Sequence, residues 1–209
     1  MKLFQTVLAS LLLAAYGSVA YAQTLPKPKE FYFDDDAAAK AIVVVEGEGE
    51  ALAEALMRAA ERGRKQVEAT AQLAGIAMAS ERIELGKSLF GQALASSQSS
   101  STVGRNVRWN YAWALYRSGD PASALTQWAQ LANGFGAPSW LPPTLALALW
   151  NMERKGEAVR WYAAAVRTEP NLWNNPANFP RLLPAWRPQE REVLAEVHAA
   201  WQENPPSWP

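Results

Sequence analysis

A set of one small, one aromatic and one small or apolar side chain at positions i, i+4 and i+7 recurs three times along this 209-residue chain. It reads Gly86, Phe90, Ala93, then Ala124, Trp128, Leu131, then Ala158, Tyr162, Ala165. That spacing puts each set on one face of a helix, where the small residue lets a neighbouring helix approach and the aromatic fills the gap. A unit that recurs in this way cannot bury its apolar face alone, so the chain has to stack successive helix pairs.

The helices before these sets also match one another. Trp113-Ala114-Leu115-Tyr116-Arg117-Ser118-Gly119 parallels Trp150-Asn151-Met152-Glu153-Arg154-Lys155-Gly156. Gly119 and Gly156 suit the left-handed residue that ends a helix, and Asp120-Pro121 suits the cap and first position of the next. The run Asn110 to Asp120, followed by Ala124, Trp128 and Leu131, resembles one unit of the tetratricopeptide repeat family. Ala158, Tyr162, Ala165 and Pro170 resemble the second half of another. Tyr111 in place of a smaller aliphatic, and Gly136 in place of the closing proline, depart from the family pattern. The resemblance implies an all-α fold, a short right-handed stack of antiparallel helix pairs (an α-solenoid). Its clear repeats are 105–138 and 139–172, a degenerate one is 67–100, and a C-terminal capping helix spans 188–203.

Ala, Leu, Glu, Arg and Gln dominate up to Ser96, with apolar positions every three or four residues, which predicts helices at 35–46, 49–62, 65–79 and 81–96. The polar run 96–102 reads as a solvated connector. Residues 172–186 carry three X-Pro steps and cannot form one continuous helix. Val193, Leu194, Val197 and Trp201 give the capping helix an apolar stripe.

The N-terminus predicts export. Lys2, the apolar stretch from Val7 to Ala15 and Ala20-Tyr21-Ala22 come in the order of a signal peptide cleaved after Ala22. The apolar run is shorter than the roughly 20 residues of a bilayer-spanning helix. No cysteine follows it, so no lipoprotein attachment or stable membrane anchor is expected. Residues 23–33 read as a flexible leader, 34–209 as one helical domain, and the periplasm or the exterior as the destination. Without residues 1–22 the net charge is −1, which argues against nucleic acid as a partner.

Catalytic chemistry finds little footing in these residues. With no cysteine and a single histidine, His198, neither thiol chemistry nor a multi-histidine metal site can be assembled. His198 is expected at the surface or half-buried. Asp34-Asp35-Asp36 lacks the alternation of a calcium loop and reads as helix capping. Glu46-Gly47-Glu48-Gly49-Glu50 reads as an interhelical turn. No catalytic residue, metal or cofactor is therefore expected.

In the resembled family the first helix of each unit lines a concave groove that takes extended peptides. Carried over, this implies Asn106, Trp109, Asn110, Trp113, Tyr116 and Arg117 from the first unit, and Leu147 and Trp150 from the second. The 37-residue register, adopted because it aligns the two glycines, adds Arg154; a 34-residue register adds Trp140, Thr144 and Asn151 instead. Asn carboxamides can bond an extended backbone as donor and acceptor together, Trp and Tyr supply contact area, and Arg clamps a carboxylate. The expected partner is a protein or peptide segment of the cell envelope. Cell-wall glycan, whose rings stack on Trp, is the alternative, as is a role as accessory subunit of an envelope enzyme.

Overall fold

The computed structural model describes Leu25, Pro28 and residues 36–132 and 138–207. The expected signal peptide and cleavage point lie outside these residues, as does most of the leader; Leu25 packs against the core. The described chain is all-helical, with ten α-helices and one short 3-10 turn among the described residues. Helices α1 (Gly49–Glu61), α2 (Gln66–Ala79) and α3 (Ile83–Ala95) are followed by α4 (Thr102–Arg117), α5 (Pro121–Ala132), α6 (Leu141–Asn151) and α7 (Lys155–Thr168). Two single-turn helices, α8 (Pro170–Trp173) and α9 (Phe179–Leu182), lead to the last helix, α10 (Pro188–Glu203).

Packing follows chain order. The pairs α2/α3, α4/α5 and α6/α7 each pack closely across a three-residue turn, and α2 packs on α4 and α5 on α6. The repeated sets sit in the second helix of each pair, and all nine of their residues are buried. Gly86 shows why a small residue leads the set. A Cβ there would lie 2.2 Å from Met78 Cγ and 2.9 Å from the Ala74 carbonyl oxygen, so α2 and α3 touch backbone to backbone.

The three turns are one geometry used three times. Arg82 N donates to Ala77 O, Asp120 N to Leu115 O and Arg154 N to Leu149 O, at 2.9, 3.0 and 3.0 Å. The residue before each donor adopts positive φ: Glu81 at 62°, Gly119 at 86° and Glu153 at 58°. From Glu81 to Gly119 to Glu153 the steps are the same as from Gly86 to Ala124 to Ala158, the leading residues of the buried sets. The 34-residue register therefore relates the second and third pairs, and the 37-residue register does not. Glu153, not Gly156, is the partner of Gly119, and Gly156 lies inside α7. The shared W-x-[L/M]-x-R-x-G text is a coincidence of composition, out of step with the structural match.

Capping chemistry places the helix starts. Ser101 Oγ accepts from Gly104 N at 3.0 Å ahead of α4, and Asp120 Oδ1 accepts from Ser123 N at 3.0 Å ahead of α5. Pro121 and Pro188 stand at first helical positions, where a missing N–H costs nothing.

Two elements depart from expectation. Residues 36–45 form no helix. Asp36 Oδ1 accepts from Ala38 N at 3.0 Å in a tight turn, and Ala39 N and Lys40 N donate to Asp36 O and Ala38 O in the same turn. The chain then crosses α4 and α2 without regular structure, bending again at 44–45. The alanines of this stretch favour a helix intrinsically, but its backbone polar groups are taken by side chains of other helices, and the branched Val43–45 tolerate extended backbone. The second departure is burial at the C-terminal end. His198 is 5 % exposed, deeper than a surface or half-buried role, and lies against the rings of Tyr162 and Trp201, each 5.8 Å away.

Candidate functional site

The site begins with three carboxamides. Asn106 Nδ2 donates to Ala38 O and Lys40 O, both at 2.7 Å. Asn110 Nδ2 donates to Lys40 O at 2.9 Å, while its Oδ1 accepts from Ile42 N at 3.1 Å. Gln72 Oε1 accepts from Val44 N at 2.6 Å and Val45 N at 3.2 Å, and its Nε2 donates to Val45 O at 2.8 Å. Seven hydrogen bonds from three side chains thus hold the backbone of residues 36–45 as a strap over α2 and α4. An amide side chain can satisfy a peptide N–H and C=O together, as Asn110 and Gln72 do here.

Gln72 and Asn110 occupy the same place in consecutive pairs, each standing equally far ahead of its own turn residue, Glu81 or Gly119. Thr144 holds that place ahead of Glu153 in the third pair, but its hydroxyl is turned back onto Trp140 O at 2.6 Å. The carboxamide row ends there.

One end of the strap is fixed by charge. Arg105 Nη2 meets Asp36 Oδ2 at 2.7 Å with both side chains nearly buried, and Trp140 Nε1 donates to the same oxygen at 3.1 Å. Asp36 is thus bonded across the fold and does not cap a helix. The ion pair joins the strap to the start of α4, and the indole contact reaches the start of the third pair.

Beside the strap opens a cavity of about 1080 Å³, bordered by residues 39–42, α2, α4 and the segment 182–187. Phe90, Trp109, Trp113, Trp140 and Trp186 contribute to its lining, with Lys40, Arg117 and Arg187 supplying cationic side chains and Glu81 an acidic one. Trp113, 5 % exposed, is the hub of the aromatic wall. Its ring centre stands 6.0 Å from Trp109, 5.1 Å from Trp128 and 5.3 Å from Trp186, in edge-on geometries that favour ring pairs.

Arg117 lines this cavity already engaged. Its guanidinium forks onto Glu190, Nε to Oε1 at 2.8 Å and Nη2 to Oε2 at 3.0 Å, donates to Ala185 O at 3.2 Å, and lies 4.8 Å over the Trp113 ring. The carboxylate it clamps is the chain's own. Tyr116 sits behind it, with its hydroxyl accepting from Asn151 Nδ2; burial, and then the Glu190 charge, push its phenol well above the usual tyrosine range.

The second-unit residues lie elsewhere. Leu147 is fully buried within α6, whose residues from Leu141 to Leu149 are all buried. Trp150 Nε1 donates to Glu196 Oε2 on α10 at 2.9 Å, and Lys155 Nζ stands 5.0 Å from its ring centre. Arg154 forks onto Glu157 at the start of α7. Helix α10 packs on α6 and α7 and covers the face a second groove unit would present. Of the nine carried-over residues, Asn106, Trp109, Asn110, Trp113 and Arg117 gather around the strap and its cavity. Tyr116 stands behind them, and Leu147, Trp150 and Arg154 do not join them. Gln72, Arg105 and Trp186 belong to the site and were not singled out from sequence, Asp36 was read there only as a helix cap, and Trp140 entered only through the 34-residue register. Extending the repeat one unit back from Asn110 reaches Gln72.

Neither a protein-family model, nor a curated protein, nor a solved structure matches the chain.

Proposed function

We propose that this chain is a non-catalytic binding module, a tetratricopeptide-like stack that takes an extended peptide or protein segment across α2 and α4. The observation that carries this reading is the capture of non-helical backbone, both its N–H and its C=O groups, by Gln72, Asn106 and Asn110. Side chains that bond main-chain N–H and C=O groups recognise a peptide as such, whatever its sequence, and the adjacent aromatic wall offers side-chain pockets. The order of charge, apolar run and cleavage pattern in residues 1–22 supports export, so a partner in the cell envelope fits. No described helix is long and apolar enough to cross a membrane.

Tryptophan fluorescence tests the reading, since Trp109, Trp113 and Trp186 ring the cavity. Titration with extended peptides should shift the emission, while soluble cell-wall glycan fragments should not. Asn110→Ala removes two bonds to a backbone held at this place. Measured in a protein whose own residues 36–45 are released by Asp36→Ala, it should weaken peptide binding about tenfold, on the order of 1.4 kcal/mol. A response to glycan fragments alone would replace the peptide reading with a sugar-binding one. For export, the secreted protein should begin at Gln23 by mass spectrometry.

A further inference from the structure

We infer that residues 36–45 are a resident placeholder, and that the partner is a separate non-helical segment of related but bulkier chemistry. That segment carries an acidic residue in the place of Asp36 and large apolar side chains in the places of Ala39 and Ala41. The inference rests on the peptide-binding reading above and adds to it the ligand's chemistry and the means of its regulation.

The contacts divide into two kinds. The seven carboxamide bonds go to backbone atoms, so a segment of another sequence that takes up the same turn and path can make them. The Asp36 carboxylate is read as a side chain from across the groove, by Arg105 and by Trp140 Nε1. A competitor therefore matches these contacts best with a carboxylate at that end and a backbone that follows the same turned, non-helical path after it.

The cavity says what the competitor adds. The space of about 1080 Å³ is an open cleft, and the half-buried side chains of Trp109, Trp140, Ile76 and Ile83 line it on either side of the strap's path. Two of the four strap residues bordering it, Ala39 and Ala41, carry only methyl side chains. The chain's own segment makes the backbone bonds and leaves the rings of Trp109 and Trp140 only half-buried. A segment with leucine-sized or aromatic side chains at those two places gains that surface.

Tethering explains why the difference matters. A segment attached to its own site competes at an effective concentration in the millimolar range for a short linker. A free peptide with the same contacts would lose to it. A peptide that also fills the cavity can win, and the strap then sets the threshold for binding. At its C-terminal end release is local: the strap joins α1 through exposed residues 46–48, with Gly47 at φ 135°, so that end can lift without unwinding a helix.

The test uses the full chain and two labelled synthetic peptides. One copies residues 36–45, and the other carries Ala39→Leu and Ala41→Leu. Binding is read by fluorescence anisotropy to the wild type, to Asp36→Ala, which loosens the strap, and to Asp36→Ala with Ala38→Glu, which places a charge at a buried strap position. Hydrogen exchange at the Ile42 and Val44 amides reports strap release. The leucine peptide should bind the loosened variants about tenfold or more tighter than the wild type, and outbind the copied peptide on every protein. On the wild type it should also speed exchange at Ile42 and Val44. Equal peptide affinities for wild type and variants, with the strap released in the variants, would overturn the placeholder role and leave peptide binding standing. Amides as slow in both variants as in the wild type would show the strap to be a fixed part of the core, and would overturn it too. Freely exchanging straps with no peptide bound by either variant would sink the peptide-binding reading itself.

Discussion

Arg117 and Glu190 show how one pair can be mistaken for a ligand site. Glu190 is 6 % exposed at its side chain, accepts the Arg187 amide at 2.7 Å, and receives both arms of the guanidinium from α4. Removing the cation leaves a carboxylate without its counter-charge in a site that water barely reaches, the situation that makes broken buried pairs costly. Arg117→Ala should destabilise the fold by about 2–3 kcal/mol, less than for a fully buried pair because the Arg117 side chain is 29 % exposed. Urea denaturation measures this, and Arg117→Met combined with Glu190→Gln should recover most of the loss. If Arg117→Ala instead leaves stability unchanged and weakens peptide binding, the pair is a binding device and not a bolt. From sequence, an arginine on the inner face of a repeat helix looks the same in either role. Its partner lies far along the chain, on a helix whose placement no local pattern encodes. Asn106 and Asn110 were legible because a carboxamide has one outstanding use, bonding backbone. What sequence could not say is whose backbone that would be.

At the scale of elements, helix-forming text and buried periodicity place α1, α2 and α3 closely, as they should where propensity and tertiary packing agree. The failure at 35–46 has a physical cause: the local helix preference of its alanines is outweighed by the carboxamides of α2 and α4, which offer the backbone a different set of bonds. The turns carry the sharper lesson. Glycine marks only one of three equivalent left-handed positions, so aligning glycines put the third pair out of register. Glutamate fills the other two, at the steric cost that a Cβ incurs with positive φ. Glu153→Gly should therefore stabilise the protein by about 0.5–1 kcal/mol, the relief of strain slightly exceeding the added freedom of the unfolded chain. Its thermal midpoint should rise while Gly119→Ala lowers it. A fall with Glu153→Gly would mean that the side chain's ion pair with Lys155, 3.2 Å long, outweighs the strain.

For the whole molecule, the C-terminal third closes what the helix pairs leave open. Helix α10 lies on α6 and α7, delivers Glu190 to α4, and buries His198 against Tyr162 and Trp201. His198 thereby makes this closure sensitive to pH. Burial holds its imidazole below the usual histidine range, with a backbone contact at Asn174 opposing part of the effect. A base whose folded value is depressed takes up its proton more readily in the unfolded chain, so acid favours unfolding. Stability is complete above the unfolded value of about 6.5, declines as pH falls through that value toward the lower folded one, and then levels until carboxylates begin to titrate. As the chain has one histidine, this step belongs to one side chain when the protein carries no histidine tag. The thermal midpoint should drop between pH 7.5 and 5.5 in the wild type. His198→Phe keeps an aromatic ring beside Tyr162 and Trp201 and removes the titration, so its midpoint should stay nearly flat over the same interval. An equal slope in both proteins would locate the acid sensitivity elsewhere. A slope confined to the wild type, with exchange in α10 quickening before that in α4, would identify the C-terminal closure as the first part of the stack to open.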